Sequence, residues 1–408
     1  MSAVASVEAI RAAFPALARI HRRLPVAYFD GPGGTQVPQA VVDAMADYLL
    51  HHNANTHWRY PTSEETDAML ADARTVFAQF FGGAPEEVSF GNNMTSIAFH
   101  VARALGRDWH AGDEVVVTEL DHHGNIAPWQ ALARERGVVL RWLPIDTDTC
   151  RLRLDLLGDL LGPKTRLLAI GAASNIVGTV SNVAAAAGMA HDAGALVFVD
   201  GVHYSPHFLP DVAALGCDLF ACSAYKFYGP HTGVLWCNRA LLERMDVPRL
   251  EPAPDSAPER LETGTQNQEG MVGAAAAVRW LASLSGEEGD LRTRLAATYV
   301  ELHHRAAEQF DYLWRMLGSL DGVTRFGPPP ATNRTATVSF TVRDVVSEQV
   351  AVALAGEACF VSHGDFYAST VVRRLGLEPD GLVRIGAACY TTAEEIDRAI
   401  AAVVRVAT

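Results

Sequence analysis

The middle of the chain alternates short apolar runs with helical patterns. The runs occupy residues 114–120, 138–144, 166–172, 196–200, 219–223 and 234–236. Most are rich in Val, Leu and Ile without strict alternation, the pattern of strands covered on both faces. Helical patterns lie between them at 96–105, 126–136 and 183–193. This order predicts an α/β unit with a mainly parallel sheet. In such sheets a ligand lies at the carboxyl ends of the strands, so residues just after each run are the place to look for chemistry.

The flanks read differently. A helical arm is expected over 4–19, and 248–258, rich in Pro, Asp and Glu, reads as a loop. A long helical region follows over 270–317. Then come a strand at 335–341, a helix at 346–355, strands near Phe360 and at 383–388, and a final helix at 393–404. That is a smaller α+β unit. At about 150 residues per domain, a chain of 408 residues holds two or three. The expected division is an N-terminal arm (1–24), a large α/β domain (25–275), and a connecting helix with a small C-terminal domain (276–408).

Composition narrows the partners. The chain is 49% apolar and 20% charged, enough to bury a large core, and its net charge of −14 argues against nucleic acid or an anionic membrane. A local pocket for a small phosphate remains open. Cys150, Cys217, Cys222, Cys237, Cys359 and Cys389 form no C-x-x-C pair, which suggests a reduced, cytoplasmic protein. The N-terminus carries Glu8 and Arg11 without a continuous apolar stretch and does not read as a signal peptide. Residues 167–190 lack charge, but Gly171, Ser174, Asn175, Gly178, Ser181 and Asn182 interrupt them, so they read as a strand, a loop and a helix rather than a membrane span.

The most informative segment is Val197-Phe-Val-Asp-Gly-Val-His203, followed by Cys222-Ser-Ala-Tyr-Lys-Phe-Tyr-Gly-Pro230. Asp200 closes one buried run and Lys226 follows the next. Two readings have similar weight on spacing alone. One is a buried salt bridge, which contributes little to stability because desolvation offsets the attraction. The other is a pyridoxal phosphate site, in which a lysine forms a Schiff base and a carboxylate keeps the pyridine nitrogen protonated. Three further segments sit at strand ends: Asn93-Met-Thr-Ser96 opening a helix, Glu119-Leu-Asp-His-His-Gly-Asn125, and Ser174-Asn-Ile-Val-Gly178. They offer a phosphate cradle, an imidazole to stack on a flat ring, and a short polar side chain. No H-E-x-x-H or clustered ligand spacing marks a metal site.

From Tyr28-Phe-Asp-Gly-Pro-Gly-Gly34 to Tyr390-Thr-Thr-Ala-Glu-Glu-Ile-Asp397 the chain resembles the class V, fold-type I pyridoxal phosphate enzymes, close to cysteine desulfurases and selenocysteine lyases. The resemblance implies the transferase fold of that type, with a large mainly parallel domain and a small α+β domain. It makes Lys226 the Schiff-base lysine, Asp200 the partner of the pyridine nitrogen, and His122 the stacking ring. Asn175 would bond near the phenolic oxygen, with His203 beside the ring. Met94, Thr95 and Ser223 would hold the phosphate. Thr265 would reach the phosphate of a neighbouring subunit, which implies a homodimer. Arg384 would grip the carboxylate of an amino-acid substrate, a task suited to a bidentate guanidinium. His363 and Tyr367, with His57 and Trp58, are the expected substrate-side residues.

The departures from the family are as informative. The loop that holds the sulfur-accepting cysteine of desulfurases reads Gly364-Asp-Phe-Tyr-Ala368 here, with Tyr367 at the cysteine's place. Tyr225 replaces the usual His before the lysine, and Ser362 or His363 stands where a second arginine is common. The expected activity is therefore a C–S lyase, eliminating a β-substituent from a sulfur-containing amino acid without a protein thiol. An aminotransferase or amino-acid epimerase of the same fold is the alternative. A non-catalytic descendant would have no reason to keep Lys226, Asp200, Asn175 and Arg384 together.

Overall fold

Seven strands make the central sheet of the computed structural model, which describes residues 4–407. Residues 1–3 of the expected arm, and Thr408, lie outside that range. The strands are β1 (Val88–Gly91), β2 (Glu114–Thr118), β3 (Val139–Leu143), β4 (Thr165–Gly171), β5 (Leu196–Asp200), β6 (Leu219–Ser223) and β7 (Gly233–Cys237). Their order is β1-β7-β6-β5-β4-β2-β3. Only β7 runs antiparallel to its neighbours; β6, β5, β4, β2 and β3 pair in parallel. The connection from Ser223 to Gly233 is too short for a parallel crossover, which needs about a dozen residues or more, so β7 returns antiparallel. The sequence patterns miss β1, because Ser89 and Gly91 break its apolar run.

Two-sided burial explains the missing alternation. In β5, Val197 and Val199 pack with Phe220 and Val234 on one side of the sheet, while Phe198 packs with Val115, Val117 and Ala169 on the other. Each such side chain contributes about 1.5–3 kcal/mol by leaving water. Helices cover both faces: α1 (Pro61–Phe81), α2 (Met94–Leu105), α3 (Ala127–Arg136), α4 (Val183–Asp192) and α5 (Gln268–Ser283). Phe77, Phe80 and Phe81 of α1 share one core with Met271, Ala274 and Val278 of α5.

The region expected as one helix over 270–317 is two, α5 and α6 (Leu291–Gly318). Gly286 and Gly289 weaken the turn between them, Gly289 has φ +136°, and Asp290 caps α6 by accepting from the Thr293 N–H at 2.8 Å. Beyond α6 a second sheet holds β8 (Val323–Phe326), β9 (Thr337–Val342), β10 (Ser362–Gly364) and β11 (Leu382–Gly386), in the antiparallel order β8-β9-β11-β10. Helices α7 (Ser347–Gly356) and α8 (Ala393–Ala407) contribute to its core. The strand expected near Phe360 does form, but Cys359–Phe360 pairs in parallel with Ala27–Tyr28, outside this sheet. That pairing brings the segment after Tyr28 from the small sheet to the edge of the large one. Among the described residues no helix is long and apolar enough to cross a membrane.

Candidate active site

The loops after β1, β2, β4, β5 and β6 converge at the carboxyl edge of the large sheet around a cavity of about 300 Å³. Met94 and Thr95, His122, Asn175, Asp200 and His203, and Ser223 and Lys226 all line it. The end of the cavity expected to take a phosphate is built on α2. The Asn93 side chain caps the helix by accepting from the Ser96 N–H at 2.9 Å, and the Met94 N–H donates to Ser223 Oγ at 3.0 Å. Gly233 makes this approach possible, because a Cβ there would lie 2.5 Å from the Asn93 backbone. The Thr95 N–H, at the start of this twelve-residue helix, together with the helix dipole favours an anion there.

Asp200 and Lys226 are not joined by a salt bridge. Asp200 accepts from the Val202 N–H at 2.9 Å, while the Lys226 ammonium donates to the carbonyls of Pro32 and of Gly33, the latter at 2.9 Å. Burial pushes the Asp200 carboxyl up to about 7, helped by the nearby Asp121 charge. Burial, with the Arg384 charge second, pulls the Lys226 amine down to about 7. Both groups are thus poised to gain from a ligand that pairs with them. His122 is held neutral, down to about 4, chiefly by burial. His203 is likewise held well below its ordinary range, and its Nε2 faces the hydroxyls of Thr335 and Thr337 at 3.0 and 3.2 Å.

Two orphaned polar atoms point to a missing partner. Asn175 Oδ1 and His203 Nδ1 are buried without one, although both residues line the cavity. A flat aromatic ring carrying a hydroxyl and an anionic tail fits this donor set. His122 offers a neutral ring face, Asn175 and His203 offer unused polar atoms, and Asp200 offers a buried carboxylate for a ring N–H. Among the described residues no group of His, Cys, Asp and Glu is arranged to hold a metal ion.

Other expected residues lie outside this cavity. Arg384, on β11, is 3% exposed and does not line it. Its guanidinium donates to Asp30 Oδ1 and Ser362 Oγ at 3.0 Å and to the Asn175 carbonyl at 2.9 Å, while its Nε has no partner. Tyr367 is exposed beside His122, ring centroids 5.6 Å apart. His363 is exposed on β10. Thr265 is exposed in the loop before α5, next to a separate cavity. His57 and Trp58 are exposed before α1.

Sequence reasoning missed three neighbours. Asp121 is fully buried, accepting from Thr118 Oγ1, Asn125 Nδ2 and the Gly171 N–H at 2.7–2.8 Å, and burial raises it to about 6. It follows a strand as Asp200 ends one, so the same logic would have found it. Asp30, in the Tyr28–Gly34 run, and Phe366, one residue before Tyr367, are the other two.

A doubly covered, mainly parallel sheet with this site at its carboxyl edge defines a fold-type I pyridoxal phosphate enzyme. The chain belongs to the aminotransferase class-V family, whose family model matches residues 27–399. It is 34% identical to a probable cysteine desulfurase 1 of Mycobacterium leprae, over 99% of this chain and 66% of that protein. It is 33% identical to a cysteine desulfurase of Klebsiella pneumoniae, over 98% of each chain. Among solved structures it resembles the apo form of a cysteine desulfurase from Thermococcus onnurineus NA1 (TM-score 0.88, 26% identity) and the S-sulfonic acid form of one from Escherichia coli (TM-score 0.84, 27% identity). Each likeness covers 98% of both chains.

Proposed function

We propose that the protein is a pyridoxal phosphate-dependent C–S lyase that acts on a sulfur-containing amino acid and uses no thiol of its own. The observation that carries this reading is the loop at 364–368. It presents Phe366 and Tyr367 beside the site, and none of the six cysteines lines the cofactor cavity. Cys359 is buried in its two-residue strand, with its thiol raised by burial. Cys389 is half-buried, and burial pushes its thiol up to about 12, so it is no thiolate at neutral pH.

When bound, pyridoxal phosphate supplies a carbonyl for the substrate amine and a protonated ring that takes up the electron pair released at Cα. Lys226 is the amine that would hold the cofactor and then move the α-proton. Asp200 would accept the ring N–H, His122 would lie on the ring, and Asn175 and His203 would meet its polar edge. Met94, Thr95 and Ser223 would hold the phosphate. Arg384 would grip the substrate carboxylate by exchanging its present contacts with Asp30 and Ser362 for it. The net reaction breaks Cβ–S and takes up one water: an S-substituted cysteine gives a thiol, pyruvate and ammonia.

Incubating the loaded enzyme with S-substituted cysteines, and separately with free cysteine, tests the reading. Pyruvate and free thiol in equal amounts, with no persulfide on the protein, is the expected result. No pyruvate from any S-substituted cysteine, or alanine together with a protein-bound persulfide when free cysteine is supplied, would overturn it. A second prediction follows from the lowered Lys226. Capture of the cofactor needs the neutral amine, so the capture rate of the apoprotein rises about fivefold between about pH 6 and pH 7 and levels off above about pH 8. An ordinary lysine would keep gaining to about pH 10. Stopped-flow absorbance measures this directly.

We also propose the division into an arm (1–24), a large domain (25–275) and a small domain with its connecting helix (276–408), assembled as a cytoplasmic homodimer. Supporting self-association, Leu50, Trp58 and Leu250 expose 75%, 60% and 62% of their surface. Thr265 is exposed and outside its own chain's cofactor cavity, which supports a role toward a partner's phosphate. The six cysteines are all free, as a reducing compartment would leave them.

A further inference from the structure

Phe366 and Tyr367 both have left-handed backbones, with φ +53° and +57°. Non-glycine residues rarely adopt this conformation, and two in succession persist only where the surroundings enforce them. The enforcing contacts come from Asn175 of the site and from two groups at its edge. Asn175 Nδ2 donates to the Phe366 carbonyl at 3.0 Å, and the His123 N–H donates to the Tyr367 carbonyl at 2.7 Å. Asp365 Oδ1 accepts from the Tyr367 N–H at 3.0 Å. The strained backbone puts two rings in specific places. Phe366 lies over the Arg384 guanidinium, 4.0 Å from its carbon to the ring centroid. Tyr367 remains 74% exposed beside His122.

Packing does not account for Tyr367, because an exposed ring buries little area and a glycine would relax the backbone. We propose that Phe366 and Tyr367 determine specificity, and that they select amino acids whose sulfur carries an apolar or aromatic substituent over free cysteine. This deepens the lyase reading and rests on it. A substrate held at Arg384 and Lys226 is anchored by the group Phe366 covers and enters beside the ring of Tyr367. A thioether or aryl group gains from aromatic surface through stacking and sulfur–ring contact, whereas a small thiol gains little.

The test measures binding to the holoenzyme by cofactor absorbance, with ligands that lack an α-proton and cannot eliminate. α-Methyl-S-benzyl-L-cysteine is expected to bind about tenfold more tightly than 2-aminoisobutyrate, which lacks the side chain. Tyr367→Phe keeps that ratio. Tyr367→Gly brings it to within about twofold while raising the melting temperature, because it relieves the left-handed strain. A merely structural role for Tyr367 would lower the melting temperature and leave the ratio intact, and that result overturns the proposal. So does a wild-type ratio near one. The outcome is separable from the lyase reading: a preserved preference without pyruvate removes the lyase activity only, and pyruvate without preference removes the specificity assignment only.

Discussion

Lys226→Ala is expected to reduce turnover by about 10,000-fold or more. The change removes the group that would both hold the cofactor and move the substrate proton, and general-base catalysis alone supplies about 100- to 10,000-fold. The fold should survive. The amine is buried and pulled down to about 7, so deleting it removes a costly buried charge, at the expense of leaving the carbonyls of Pro32 and Gly33 without their donor. Treating loaded protein with borohydride separates a missing lysine from a failed pocket. Wild-type protein should retain the cofactor on the peptide that contains Lys226 after denaturation, and the variant should release it. A variant with a tenth of normal turnover would remove Lys226 from its assigned role.

Much of this site can be read from the sequence because the sheet is buried on both sides. An Asp at the end of Val197-Phe-Val and a Lys after the next run cannot be explained as core, and the parallel sheet sends both to the same edge. The strand ends at Ser223, Asn175, His122 and Thr95 follow by the same rule, and the structure gathers all of them around one cavity. What the sequence did not reveal depends on contacts between distant segments. The link between Asp30 and Arg384 spans most of the chain and has no local signature. Phe366 has no legible signature, because a cation–π contact has no spacing rule. The helix break at 284–290 did carry a signal, since two glycines and an N-capping Asp mark it, but the apolar pattern on either side masked it. The direction of β7 was decided by loop length rather than by the strand's own residues.

Asp200→Asn should separate stability from function. The carboxyl is fully buried and raised to about 7 against an ordinary value near 4, so the folded apoprotein binds its proton more tightly than the unfolded chain does. A group raised in this way contributes stability at low pH, and that contribution is lost as pH rises from about 4 to about 7. Asparagine, close in shape and always neutral, suffers no such loss. The apo variant should therefore melt like wild type near pH 4 and progressively higher than wild type up to about pH 8. Loading the cofactor should reverse the order. A protonated pyridine nitrogen pairs with a carboxylate and not with an amide, so at pH 8 wild type should gain more in melting temperature than the variant. Activity should follow the loaded state, falling at least about 100-fold, the usual cost of removing one preorganised electrostatic partner of developing charge. If the carboxylate were there only for the fold, the apo variant would melt lower at every pH and the cofactor would stabilise both proteins equally. The reversal of sign on loading is what ties Asp200 to the ring nitrogen rather than to the sheet that carries it.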